Sequence, residues 1–298
     1  ARHRRAESEP RTHPPLLAWA LWRLYHEKGN RDFLEAAYPN LVRCVEWYER
    51  NRKNVEGLYG WALPAGDARG AESGMDNSPR FDHAQAMTAI DLCGYVAAEY
   101  LALEQMATLL SQPADAEKWR LKRQRLSDVV NNWLWDDETR FYYDLDEQGT
   151  FICVKTPAGL IPMLGLIPDG DQAESLRVHV VDHREFWSNF PIASVGQDEP
   201  CYSNDRWRGP VWPMINLLIH HCLENYRFFD EAHRLAHRTL EEIARWYART
   251  GCLFEYYDAQ GSTAPADLPQ KGLSQMKGPV ADFHPTAAAY VCLAHRIR

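Results

Sequence analysis

The sequence predicts an all-α domain built from stacked helix pairs. Apolar residues recur at helical spacing from one end of the 298-residue chain to the other, long Gly- and Pro-rich connections separate the pairs, and only one short β signal stands out. The first pair runs through Leu17, Leu21, Leu24 and Tyr25 and then Leu34, Tyr38, Leu41, Val45 and Tyr48, with Gly29-Asn30 as stop and start. The second runs from Asp82, as N-cap, through Met87, Ile90, Gly94, Ala97 and Leu101; Pro113 then opens a helix with Trp119, Leu126, Val129, Val130 and Trp133. A third, weaker pair covers Ala158 to Leu166 and Asp171 to Val181, the latter opened by an Asp171…Glu174 capping box. The fourth joins Pro213 to about Glu224 with Phe229, Ala232, Ala236, Leu240, Ile243 and Tyr247, and an unpaired helix runs from Pro285 to Arg298. The β signal is a hairpin of Arg140 to Tyr143 against Thr150 to Cys153.

Three connections, Asn54 to Phe81, Trp187 to Pro210 and Gly251 to Phe283, exceed the roughly 12 to 15 residues tolerated by structureless loops that carry no function. A repeat scaffold needs a fixed period and short turns, which this chain lacks. An α/α toroid with loops lining a funnel at one end accommodates both the pairs and the loops. No linker divides residues 1–298, so a single domain is expected.

Composition excludes several classes. Acidic residues outnumber Lys and Arg by 41 to 33, a net charge of −8, so a nucleic-acid role is not expected. The apolar run Ala158 to Pro168 is about half of the roughly 20 residues a membrane span needs, so no membrane association is expected. The seven cysteines are scattered, never spaced Cys-x-x-Cys, and read as buried free thiols of a reducing compartment, the cytoplasm. No zinc site is expected, since adjacent His220 and His221 would face different ways on a helix. With no Gly-rich phosphate loop either, neither metal nor cofactor is implied.

The chemistry lies in the loops. The first carries Trp61 and Glu72-Ser73-Gly74-Met75-Asp76-Asn77-Ser78, the second Asp205-Arg206-Trp207-Arg208-Gly209-Pro210-Val211-Trp212-Pro213, and the third Phe254-Glu255-Tyr256-Tyr257-Asp258. Acidic groups among aromatic faces are what glycosidic-bond hydrolysis requires: an acid for the leaving oxygen, a second carboxylate for water or the anomeric carbon, and rings for the sugar's C–H surface. The alternative is a non-catalytic carbohydrate-binding toroid. Taken alone, Asp76 reads as a turn residue, Glu255 as a solvated charge, and Trp207 and Trp212 as core.

At these residues the chain resembles the catalytic domain of glycoside hydrolase family 63 and, at greater distance, the trehalases that share its (α/α)6 toroid. The matching runs are Glu72 to Ser78, Arg208-Gly209-Pro210-Val211-Trp212-Pro213 and Phe254 to Asp258, in family order. The resemblance implies an inverting α-glycosidase that releases glucose or mannose from a small glycoside, a glycosylglycerate or short oligosaccharide, with Asp76 as general acid and Glu255 as general base. A trehalase-like activity is the alternative within catalysis. An inverting pair stands roughly 6.5 to 9.5 Å apart. Glu72 is the competing carboxylate. The resemblance further implies that Trp207 and Trp212 shape the sugar subsite, that Arg208 and Asp205 bond hydroxyls or each other, that Gly74, Trp61 and Tyr59 line it, and that Gln270 contacts the acceptor. Asp91 reads as structural. Where the family commonly has an aromatic residue, this chain has Arg206, and Ser274 to Asp282 resembles an insertion. The implied toroid has twelve helices against nine predicted here, so an N-terminally incomplete ring is expected, short by on the order of 50 to 60 residues.

Overall fold

The computed structural model describes residues 12–64, 69–269 and 278–297. Eight α-helices are found there: α1 (Leu17–Lys28), α2 (Arg31–Asn51), α3 (Ile90–Leu109), α4 (Pro113–Trp133), α5 (Gly170–Val181), α6 (Pro213–Asn225), α7 (Phe229–Thr250) and α8 (His284–Arg296). A nine-residue 3-10 segment, Pro157–Gly165, takes the place of the helix expected at Ala158 to Leu166. Pro162 explains the difference, because it lacks the N–H that an α-helix would direct at the Ala158 carbonyl and its ring would meet that carbonyl.

The elements sort into two layers by packing, and burial is greatest at the middle of the inner one. Fifteen of the twenty residues of α3 are buried, as befits a helix apolar all round. By contrast α2 and α7 bury only one stripe each. The series α1, α3, Pro157–Gly165, α6, α8 packs neighbour to neighbour as the inner layer, with α2 against α1 and α3, α4 against α3, and α7 against α6 and α8. Glycines permit the closest inner crossing: a Cβ on Gly94 would lie 2.8 Å from the Ile161 carbonyl carbon, and one on Gly165 2.4 Å from the Ala97 Cβ.

Connection length fixes which end holds the site. Inner elements pass to outer ones through tight turns, the first being Gly29 in the left-handed conformation followed by Asn30, whose side chain accepts from the Phe33 N–H. Outer helices return to inner ones through residues 52–89, 134–156, 182–212 and 251–283. All long loops therefore lie at the N-terminal ends of the inner elements.

Several local expectations are corrected. Asp82 caps nothing at the start of α3, which begins at Ile90 after the strand β1 (Met87–Thr88). The capping box of α5 is Asp169 with Gln172, two residues before the expected Asp171 and Glu174. The hairpin is displaced too: β2 (Trp135–Asp136) pairs with β3 (Phe141–Tyr142), while β4 (Asp144–Asp146) pairs with both β5 (Phe151–Ile152) and β1. Of the seven free cysteines only Cys93 and Cys222 are buried, and Cys153 and Cys292 are exposed. No described helix is long and apolar enough to cross a membrane.

Candidate active site

The first loop reaches the site on a buried ionic anchor. Arg80, wholly buried in the short 3-10 turn Pro79–Phe81, donates to both oxygens of Asp144 at 3.1 Å and pairs with Asp91 through Nη2. Asp91 also accepts from Trp61 Nε1 at 2.8 Å and from the Leu92 N–H, and Asp144 accepts from the Ile90 N–H at 2.8 Å. The structural reading of Asp91 is thus met: it ties the first loop to the start of α3. Glu72, the competing carboxylate, is saturated. Arg52 grips both its oxygens, and the N–H groups of Thr12 and Ala62 complete four donors at a carboxyl only 2% exposed. A group so engaged holds the loop and has no lone pair left for a substrate.

Past Glu72 the chain reverses at Gly74, in the left-handed conformation (φ 74°) and exposed, with nothing within 4 Å of a notional Cβ. Asp76 follows, half-buried. Its carboxyl is raised above the usual range by burial, opposed chiefly by Arg206, whose Nη2 stands 2.7 Å from Oδ2. Next door, Asn77 clamps the second loop by accepting from the Trp207 N–H at 3.0 Å and donating to the Asp205 carbonyl at 3.4 Å.

Glu255 comes from the third loop on a small antiparallel patch. Tyr257 and Val211 exchange backbone hydrogen bonds of 3.0 and 2.8 Å, and the Glu255 N–H donates to the Val280 carbonyl at 3.0 Å. Burial raises the Glu255 carboxyl, the Val280 N–H and Arg206 oppose the rise, and the charge of Asp76 adds to it. The charge of Asp76, 179 positions earlier in the sequence, thus reaches Glu255, and Arg206 acts on both carboxyls.

The aromatic residues divide. Trp207 and Trp212 stack with ring centres 3.8 Å apart and planes 6° from parallel, and Trp212 leans on Tyr256 at 5.0 Å. Both indoles are nearly inaccessible, so they form the floor beneath Arg206, whose carbonyl accepts from Trp212 Nε1 at 3.1 Å. Tyr59, expected at the sugar, lies in the core with its hydroxyl 2.8 Å from that of Tyr100. Trp61 lines a separate cleft of about 660 Å³ with Asn51, Met87, Trp133 and Glu147. Arg208 pairs with Asp82, and its N–H donates to the Asp205 carbonyl rather than the carboxyl. Gln270 lies outside the described residues. On the first and second loops, Ser78 Oγ, Asp205 Oδ1, Trp207 Nε1 and Arg208 Nε are buried without a hydrogen-bond partner among the described residues.

Sequence reasoning missed two features. Arg206 was visible only as a departure from an aromatic pattern. The second is a cluster of His220, His221 and Glu224, whose ligand-type atoms lie within 4.8 Å of one another. The neighbouring imidazoles do not diverge as expected, because the Glu224 carboxylate spans both, 2.9 Å from His221 Nδ1 and 3.5 Å from His220 Nε2. Arg23 and Arg296 reach the same carboxylate at 3.8 and 3.9 Å, so its charge is already matched and the cluster fits an ionic clasp of α1, α6 and α8 better than a metal. It sits at the C-terminal ends of those helices, away from Asp76 and Glu255.

The family described as "Mannosylglycerate hydrolase MGH1-like glycoside hydrolase domain" matches residues 1–266. The chain belongs to that family. A mannosylglycerate hydrolase of Thermus thermophilus is 32% identical over 162 residues, 52% of this chain and 36% of that protein. A probable mannosyl-oligosaccharide glucosidase of Schizosaccharomyces pombe is 28% identical over 264 residues, 76% of this chain and 32% of that one. The chain thus spans about a third of the length of both relatives. Among solved structures, a family 63 mannosylglycerate hydrolase from Thermus thermophilus in complex with glucose superposes with a TM-score of 0.76 at 24% identity, over 98% of this chain and 78% of the other. The neutral trehalase of Saccharomyces cerevisiae superposes at 0.71 with 15% identity over 97% and 63%. Together these likenesses establish the helical toroid.

Proposed function

We propose that this family 63 domain hydrolyses the α-glycosidic bond of a small glycoside, a mannosyl- or glucosylglycerate or a short oligosaccharide, with inversion. Asp76 serves as general acid and Glu255 as general base. The observation that carries the reading is that two half-buried carboxyls from loops far apart in sequence lie close enough for the charge of Asp76 to reach Glu255, with Arg206 paired to Asp76 and acting on both. Burial acts in the direction an acid needs, since it favours the protonated carboxyl. Glu255 lies on the patch that orders the third loop, which suits a group that must hold a water. Relatives named mannosylglycerate hydrolase support the substrate class.

Incubation of the chain with glucosylglycerate, mannosylglycerate and α-linked disaccharides, followed by NMR, is expected to show the β-anomer first. Asp76→Asn and Glu255→Gln should each lower turnover by on the order of 10²- to 10⁴-fold. Full activity in either variant would overturn the assignment. Sugar binding without release would favour the non-catalytic reading.

A further inference from the structure

A cation beside a general acid favours its ionised form and so depletes the proton the acid must give. Arg206 is nevertheless aimed at Asp76 by several constraints. Its backbone is left-handed at φ 50°, its carbonyl accepts from Trp212 Nε1 at 3.1 Å, and Asn77 holds both neighbours in the chain, through the Asp205 carbonyl and the Trp207 N–H. A non-glycine residue in that conformation is held by its surroundings, and here they deliver the guanidinium to Asp76 Oδ2 at 2.7 Å. Turnover requires this contact to loosen, and the groups best able to draw a guanidinium away are planar anions that offer two oxygens.

We propose that Arg206 anchors a carboxylate carried by the leaving group of the substrate, a small hydroxy acid, and that passage of the guanidinium from Asp76 to that carboxylate frees Asp76 to donate its proton. This rests on the hydrolase reading above. Once released, Asp76 takes a proton from solvent and gives it to the glycosidic oxygen as the C–O bond to the anomeric carbon breaks. Glu255 accepts a proton from the water that forms the new bond there. The aglycone departs as an alcohol with its carboxylate still ionised. Arg206 thereby couples recognition of the acid to its use.

The test uses the full chain with Arg206→Gln and Arg206→Lys, and a matched pair of substrates, an α-glycosylglycerate and the neutral α-glycosylglycerol. D-glycerate binding is measured alongside by calorimetry. Arg206→Gln is expected to weaken glycerate at least about tenfold and to lower kcat/KM on the glycerate glycoside at least about tenfold more than on the neutral one, with Lys between. On the neutral glycoside, the pH limb assigned to Asp76 should move upward in the Gln variant, a change that a merely structural role would not produce. Equal losses on both substrates, unchanged glycerate affinity in Arg206→Gln, or no glycerate binding to the wild-type chain would each overturn the proposal. If the wild type cleaves neither glycoside, the hydrolase reading fails on its own, and the binding comparison still decides the role of Arg206.

Discussion

Replacing Arg80 by Met tests whether the ionic anchor, rather than apolar packing, holds the first loop. The change removes the charge between Asp91 and Asp144, which are themselves fully buried, and deletes three 3.1 Å hydrogen bonds and the Nη2 contact. Three contacts remain to the carboxyls, from Trp61, Ile90 and Leu92. Breaking a buried pair costs about 3 to 5 kcal/mol, against a total of about 5 to 15 for a domain, so the variant should be folded but close to its limit. The sign of its pH dependence follows. Asp144 is already raised by burial and by Asp91, with Arg80 the main opposing influence, so without Arg80 the pair must hold a proton to pH values well above the unfolded carboxylate range. The folded state then binds more protons than the unfolded one, and stability falls as pH rises through the raised value. Urea unfolding at pH 5 and pH 8 should show the variant losing far more stability across that window than the wild type. Arg80→Met combined with Asp144→Asn removes one buried charge and should recover part of the loss. A single variant within about 1 kcal/mol of wild type at pH 8, or with the wild-type pH dependence, would refute the reasoning.

Other outcomes follow from the same contacts. Glu72→Gln leaves Arg52 facing a neutral amide and should cost about 3 kcal/mol by denaturant titration; loss of activity at wild-type stability would instead restore Glu72 as a candidate acid. Asn77→Ala, which unties the first loop from the second, should cost about 1 to 2 kcal/mol and lower kcat more than it raises KM. Glu99 is buried under the start of α1, where it accepts from the Ala18 and Trp19 N–H groups, and burial pushes its carboxyl up to about 7. That contribution is fully present below the unfolded value near 4.5 and is lost as pH rises through about 7, so thermal melts of Glu99→Gln should lose less stability between pH 5 and pH 8 than the wild type does.

What was legible in the sequence was local. Gly29-Asn30 and Pro113 announced helix ends because capping is decided by residues a few positions apart, and the structure places α1, α2 and α4 accordingly. The failures trace to competition at similar range. Asp169 with Gln172 and Asp171 with Glu174 offer the same box, and it is Asp169 and Gln172 that make both reciprocal bonds. Asp82 looked like a cap but is taken by Arg208, 126 positions later. The stack of Trp207 on Trp212 and the burial of Tyr59 were beyond reach for the same reason, since which face of an aromatic ring is covered depends on elements distant in the chain. The loops that bear Asp76 and Glu255 could be singled out from composition and family resemblance. The guanidinium paired with Asp76 could not, because an isolated Arg carries no periodic or spacing signal.

The alternation of tight turns and long loops has an electrostatic consequence. Tight turns reverse direction, so inner helices α1, α3, α6 and α8 all present their N-termini at the loop end, while α2, α4, α5 and α7 present their C-termini. Aligned peptide dipoles leave about half a positive charge at each N-terminus and the opposite at each C-terminus. The helix dipoles alone therefore contribute positive charge near the axis of the mouth and negative charge around its rim, in a chain whose net charge is −8. That pattern favours anionic solutes at the loop end that carries Arg206, so added salt should slow their arrival more than that of neutral sugars.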